Sequence, residues 1–193
     1  MGPVPVCAIR EDIHNQLLIT LSSWEIEMIR SLEGKIPTIH PTAFVSESAY
    51  VIGNVQIGEA SNIWPGVVIR ADMGKISIGQ YTSIQDNSVV HGDDDVVIGD
   101  EVIIGHQTLC HARTVGNKVF IGSGATINDG VEIGEGSIIE SGTMVIDRMN
   151  IPPHSIVAGI PARIRRSVHN MDHALRTAQK YADKAQIYKL QTE

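Results

Sequence analysis

The hydrophobic positions of this chain recur every six residues over most of its length. The first unbroken run is Ile39, Val45, Val51, Ile57, Ile63 and Ile69. The spacing resumes at Ile78 after a short insertion and at Ile121 after a second one. A helix would place apolar residues three and four positions apart, and a strand with one buried face would alternate at two. A period of six with Ile-Gly starts, as in "IGEASN", is instead typical of the hexapeptide repeat of a parallel β-helix.

Each unit of such a repeat supplies one short strand and one corner, so that three units complete a triangular coil. The β-branched residue points into the prism, where its stiff side chain stacks on the equivalent residues of the coils above and below. Glycine and other small residues ease the corners, where a bulky side chain would strain the backbone. We therefore predict an all-β fold, a single-stranded parallel β-helix, over residues 31–168.

Two terminal segments lie outside the repeat. Residues 1–30 form an N-terminal arm that the periodicity does not account for. Between residues 169 and 193, apolar residues return at helical spacing, which predicts a C-terminal amphipathic α-helix packed against the prism. This apolar stripe consists of Met171, Leu175, Ala178, Ala182 and Ala185.

Composition excludes several classes of function. A net charge of −7 argues against nucleic acid or an anionic membrane as the main partner. No apolar run approaches the ~18 residues of a membrane span, and the N-terminus shows no secretory signal. Cys7 and Cys110 are too few for a disulfide framework or a cysteine zinc site. We expect a cytoplasmic enzyme or assembly subunit.

Three histidines fall into the phase of the repeat. His91 and His111 each follow an inward residue and are one full turn apart, so they should share a corner at a spacing of about 4.8 Å. Two such rings can hold one metal ion with bonds of about 2.0–2.1 Å. His106 lies on the preceding face and points about a third of a turn away. Only a neighbouring prism could supply it, which predicts a metal site split between subunits of a homotrimer.

Other polar residues share the same columns. Arg70 stacks one turn before His91, whereas Gln85 and Asp86 share the face of His106. If His106 reaches a neighbour's metal, Asp86 can reach the same neighbour's Arg70 as a bidentate pair across the interface.

The motifs "RADMG", "SIQDNSVVHG" and "GHQTLCH" resemble those of the gamma-class carbonic anhydrases, over about residues 28–190. The resemblance implies a trimeric, left-handed β-helix that hydrates CO₂ reversibly to bicarbonate at Zn²⁺, with Fe²⁺ or Co²⁺ as other candidates. It implies that the metal ligands are His91, His111 and a neighbour's His106. It further implies that Arg70, Asp72 and Asp86 form an intersubunit ion network, that Gln85 lines the pocket, and that Tyr181 is the helix tyrosine near the metal.

Two departures from that family keep other functions open. Met73 stands where some fully active members have glutamate, and only a short segment with Asp93–Asp95 replaces their acidic loop. The pattern resembles the short-loop branch, where hydration activity can be weak, redox-dependent or absent. The alternatives are a hexapeptide acyltransferase with a coenzyme A donor and a metal-binding trimeric assembly subunit without useful turnover.

Overall fold

The computed structural model of the protein describes residues 28–167 and 172–192. Most of the N-terminal arm, together with Cys7, His169 and Met171, lies outside the described residues, as does the side chain of Leu175. The described chain is a left-handed parallel β-helix followed by one α-helix, which confirms the fold-class prediction. Its first strand begins at Ile29, two residues before the boundary that the repeat suggests.

Three flat faces, which we name A, B and C in chain order, surround the core. Face A contains β1 (Ile29–Arg30), β8 (Val89–His91), β11 (Leu109–Cys110), β14 (Thr126–Ile127) and β17 (Met144–Val145). Face B contains β2 (Thr38–Ile39), β9 (Val96–Ile98), β12 (Thr114–Val115), β15 (Glu132–Ile133) and β18 (Asn150–Ile151). Two longer strands, β4 (Tyr50–Ile57) and β6 (Val68–Ile78), continue from face A into face B.

Face C is a separate sheet. Its parallel strands are β3 (Phe44–Val45), β5 (Asn62–Ile63), β7 (Ser83–Ile84), β10 (Ile103–Ile104), β13 (Phe120–Ile121), β16 (Ile138–Ile139) and β19 (Ser155–Ala158). At its lower edge β20 (Arg163–Ser167) pairs antiparallel with β19 and ends the ladder. Parallel pairing between equivalent strands of adjacent coils holds the three faces together.

The core is a stack of the repeat's β-branched residues. On face A, for example, Ile69 pairs with Val90 and Val90 with Cys110, and all three are fully buried. Stacking these side chains removes apolar surface from water. Each Å² of apolar surface that is buried stabilises the fold by about 25 cal/mol, and this burial is the main stabilising term of the solenoid. Some corners leave no room for a side chain: a Cβ on Gly53, where φ is 87°, would lie 2.3 Å from the carbonyl oxygen of Ala71.

The structure corrects one detail of the repeat. The segment between Cys110 and Ile121 is not an insertion, because Thr114–Val115 forms a complete face B strand that pairs with both neighbouring coils. The inward Val115 comes five positions after Cys110 rather than six. A count in steps of six therefore missed this strand of face B.

In the described prism, every spacing between successive inward residues that differs from six falls at one corner. Between face A and face B the inward residues are nine apart from Ile69 to Ile78 and eight apart from Val90 to Ile98. We name this the A–B corner (residues 70–75, 91–95, 111–113 and 128–131). The corner between face C and face A keeps its six-residue step, as from Ile84 to Val90. We name it the C–A corner (residues 64–67, 85–88 and 105–108).

The predicted C-terminal helix is confirmed as α1 (Asp172–Thr192), which lies along the upper part of face C. Ala178, Ala182 and Ala185 are buried, and Gln186 donates a hydrogen bond of 3.1 Å to the carbonyl oxygen of Thr42. The small residues let the helix approach the sheet closely, so that its two tyrosines complete an aromatic cluster. That cluster consists of Phe44, Trp64, Tyr181 and Tyr188. Within the described residues, no helix combines the length and apolar character needed to cross a bilayer.

Candidate metal centre

The A–B corner brings His91 and His111 face to face. β8 ends on His91, whereas His111 follows β11 in the next coil, and the pairing of Val90 with Cys110 sets their register. Nδ1 of His91 lies 3.0 Å from Nε2 of His111, and the ring centroids are 5.0 Å apart. Both rings are partly buried, with 12% and 19% of their side chains exposed.

This pair fits a divalent cation of the zinc class. Two nitrogen ligands with bonds of about 2.0–2.1 Å around a tetrahedral ion would lie roughly 3.3–3.4 Å apart. The observed 3.0 Å requires only a small opening of the pair. Asp93 adds a carboxylate oxygen, and the ligand atoms of His91, Asp93 and His111 all lie within 4.8 Å of one another.

Asp72 links the pair to Arg70. Its Oδ1 lies 2.8 Å from Nε2 of His91, and its Oδ2 accepts a hydrogen bond from the Arg70 guanidinium. Burial raises the pKa of the Asp72 carboxyl, but the hydrogen bond to His91 and the charge of Arg70 outweigh it. The net pKa is below the ordinary value of an aspartate, so the carboxylate is ionised and accepts from both neighbours.

His106, Gln85 and Asp86 lie together at the other corner, the C–A corner. Nδ1 of His106 is 2.9 Å from Oδ2 of Asp86, and the backbone N–H of Gln107 donates to the carbonyl oxygen of Asp86 at 2.9 Å. The structure therefore brings Asp86 to His106 and not to the Arg70 of its own chain. Gln85 is buried, with only 4% of its surface exposed.

Tyr181 faces the same corner from α1. Its ring packs edge-on against Trp64 at 5.8 Å between centroids. Trp64 and Gln85 occupy equivalent places in adjacent coils, because the backbone N–H of Trp64 donates to the carbonyl oxygen of Ile84. Within one chain, Tyr181 thus lies on the side of His106 and contacts an aromatic cluster rather than the histidine pair.

Sequence reasoning missed one carboxylate at the A–B corner. Oδ1 of Asp129 lies 3.5 Å from Nδ1 of His111, while Oδ1 of Asp93 lies 3.8 Å from Nε2 of the same ring. Asp129 follows the inward Ile127 by two residues, one position past the Asn128 that is in register with His111, so the column that placed the histidines does not reach it. Both carboxylates line a cavity of about 860 Å³ that also contacts Met73 and Arg113.

Cys110 is not a candidate ligand. It is fully buried in the ladder, and burial raises the pKa of its thiol to about 11. The thiolate that binds metals is therefore scarce at neutral pH.

Comparison with known proteins shows the family to which the repeat fold belongs. The family model described as "Bacterial transferase hexapeptide (six repeats)" matches residues 114–147. A solved structure of a hexapeptide transferase family protein from Anaplasma phagocytophilum is 34% identical with a TM-score of 0.81, over 84% of this chain and 98% of that one. This chain belongs to the hexapeptide-repeat family.

Two further relatives of this hexapeptide-repeat protein are named for different activities. The "Gamma carbonic anhydrase 1, mitochondrial" of Arabidopsis thaliana is 53% identical over 57 residues, 30% of this chain. That match spans only 21% of the plant protein's own length. A structure of perosamine N-acetyltransferase from Caulobacter crescentus in complex with CoA and GDP-perosamine is 26% identical with a TM-score of 0.52, over 81% of this chain and 65% of that one.

Proposed function

We propose that this chain forms a homotrimer that hydrates CO₂ reversibly to bicarbonate at three intersubunit metal sites. The observation that carries the proposal is the approach of Nδ1 of His91 to Nε2 of His111 on adjacent coils. Two imidazoles of one chain leave a coordination set incomplete, and His106 lies at a different corner of the same chain. A neighbour related by threefold symmetry presents its C–A corner to this A–B corner and supplies the third imidazole.

The two corners would contribute different groups to the site. His91 and His111 of one copy and His106 of the next would hold Zn²⁺, with Fe²⁺ or Co²⁺ as the other candidates. A cation bound by three neutral imidazoles supplies Lewis acidity that lowers the pKa of water towards ~7. Gln85, buried at the same corner as His106, would donate an amide hydrogen bond to bicarbonate and orient it. Tyr181 would enter the same site from the neighbour's side.

Asp93 is the group that would accept the proton. Its carboxylate lies 3.8 Å from Nε2 of His111, and 66% of its side chain is exposed. A carboxylate with one side towards the site and the other towards water can take a proton and release it to buffer. Arg70 and Asp86 of neighbouring copies would complete the interface as an ion pair.

Acyl transfer from coenzyme A is the second candidate, because the C. crescentus neighbour was solved with CoA bound. In that case a histidine would act as general base and no metal would be required. The paired histidines at 3.0 Å favour the metal, since a single base needs no second imidazole facing it.

Metal content tests the site directly. We expect about one tightly bound divalent ion per chain in the purified protein, complete loss in His91→Ala, and retention in His40→Ala, whose ring is exposed at the remaining corner. Elemental analysis with equal metal in both variants would remove the site.

Stopped-flow hydration separates the activities. We expect anaerobically prepared, metal-replete protein to accelerate CO₂ hydration, and His91→Ala to lose that acceleration. Acetyl-CoA consumption by the metal-free protein, without any hydration activity, would instead establish the acyltransferase.

A further inference from the structure

Two of the candidate ligands bind carboxylates through opposite ring nitrogens. His91 meets Oδ1 of Asp72 through Nε2 at 2.8 Å, whereas His106 meets Oδ2 of Asp86 through Nδ1 at 2.9 Å. A neutral imidazole carries one N–H, and an ionised carboxylate can only accept. Each aspartate therefore keeps the proton on the nitrogen that it contacts and leaves the lone pair on the other.

The geometry of the histidine pair is compatible with this assignment. With the proton on Nε2, His91 has its free lone pair on Nδ1, and Nδ1 is the atom that faces Nε2 of His111 at 3.0 Å. The nitrogen that Asp72 leaves free is thus the nitrogen already directed at the candidate metal position. Applied to His106, the same reasoning leaves Nε2 as the ligand atom.

We propose that Asp86 is a positioning residue for the metal site: it holds the proton on Nδ1 of His106 and so presents Nε2 to the cation of the neighbouring copy. This rests on the proposed function, because His106 has no cation to bind within its own chain. Asp86 would then position a metal ligand as well as stabilise the trimer interface. His91 and His106 would then bind one cation through different ring nitrogens, Nδ1 and Nε2 respectively.

The pair is formed before any partner arrives. Asp86 and His106 each follow an inward residue of face C by two positions, in adjacent coils, and the hydrogen bond from Gln107 to the carbonyl oxygen of Asp86 fixes their spacing. In the isolated chain 48% of the His106 side chain and 38% of the Asp86 side chain are exposed. A covering neighbour would exclude water and strengthen the bond, since hydrogen bonds to charged acceptors gain in a low dielectric. The second oxygen of Asp86 would serve the neighbour's Arg70.

The experiment measures the tautomer of His106, because a role of Asp86 in trimer stability alone would not change that tautomer. Neutral histidine in water prefers the proton on Nε2, so a proton on Nδ1 requires a partner. Ring ¹⁵N shifts are measured on metal-free, ¹⁵N-histidine-labelled protein, at a pH where a titration shows the ring to be neutral. Loss of the signal in His106→Ala assigns it.

We expect His106 to carry the proton on Nδ1 in the wild type and in Asp86→Asn, whose amide oxygen still accepts. Asp86→Ala should revert to the Nε2 proton, and the control Asp72→Ala should leave His106 unchanged. Zn²⁺ affinity, measured by competition with a chelator, should fall about 10–100-fold in Asp86→Ala and less in Asp86→Asn. Sedimentation reports assembly separately, and the ¹⁵N measurement applies to monomer and trimer alike.

An Nε2 proton in the wild type, or an unchanged tautomer in Asp86→Ala, overturns the inference even if metal binds and CO₂ is hydrated. The reverse outcome is distinguishable: the expected tautomers in a protein that binds no Zn²⁺ would uphold the role of Asp86 on His106 and refute the proposed function.

Discussion

The A–B and C–A corners of this prism differ in regularity and in the groups they hold. The A–B corner varies in length from coil to coil and holds the His91–His111 pair, the Asp72 link and the cavity. The C–A corner keeps a step of six residues and holds Asp86, His106 and, from α1, Tyr181. A surface that must fit a symmetry-related copy has to keep a constant rise and width, whereas a corner that builds a pocket can lengthen. Variation in length thus sets the corner with the cavity apart from the other two corners, and in the proposed trimer the regular C–A corner would be the surface that docks against it.

Mixing two broken variants gives the largest expected effect. His91→Ala damages the A–B corner and His106→Ala the C–A corner, so each variant alone should lose all three sites of its trimer. Every mixed trimer contains one interface that joins an intact His91 to an intact His106. Random assembly of equal amounts makes about three quarters of the trimers mixed, so about a quarter of wild-type metal and activity should return.

Coexpression with two different tags isolates the doubly tagged trimers, all of which are mixed, so metal and hydration assays on them should find about a third of the wild-type value. The matched control mixes His91→Ala with His111→Ala, which damage the same corner and should not complement. Absence of recovery in the first mixture would mean that the site is built within one chain and that the two corners do not meet.

A single inserted glycine probes the difference in regularity. Between Asp94 and Asp95, in the exposed part of the A–B corner, we expect Tm to fall by less than about 2 °C, because long surface segments absorb extra residues cheaply. Between Gln107 and Thr108 the insertion shifts the buried Cys110 out of phase, since one residue exchanges the two faces of a strand. There we expect a fall of at least about 5 °C.

Both insertions are compared by thermal unfolding of metal-free protein at one concentration, so that neither metal nor mass action contributes. Equal losses at the two corners would show that their difference in length carries no structural meaning.

Replacing Met73 gives the smallest expected effect. Met73 is 68% exposed and lines the cavity with His111 and Asp93. Met73→Glu adds a proton acceptor and should raise turnover roughly two- to tenfold at low buffer, well below the contribution of a fully placed general base. Met73→Gln has the same length without the titratable group and should not. Fast turnover in the wild type that does not depend on buffer would mean that Asp93 passes the proton to water unaided and that a further acceptor at position 73 adds nothing.

Most of the fold was predictable from the chain because the core is one-dimensional. A single β-branched residue in each unit sets the face, the coil and the neighbours at once, so the period alone places Ile104 against Ile84. The prediction failed at Val115, where one deleted corner residue broke the count while the strand and its pairing survived.

The candidate site was predictable only as far as backbone phase determines it. Phase indicates that His91 and His111 share a corner and that His106 and Asp86 share another. It does not specify which ring nitrogen meets which oxygen, because that depends on side-chain torsions that periodicity does not contain. For the same reason phase allowed Asp86 to reach a neighbour's Arg70 but did not reveal its bond to His106.

The position of α1 has a consequence for the order of folding. Strand pairs on all three faces join residues about 20 positions apart, as Val90 does with Ile69 and Cys110, so coils can zip up one after another along a growing chain. The helix is the exception, since its bond from Gln186 to Thr42 spans 144 positions. A growing chain can therefore stack the coils of its prism before Tyr181 is available to pack against Trp64. We expect docking of the helix to follow stacking of the coils, and assembly of the proposed trimer at the C–A corner to follow that docking.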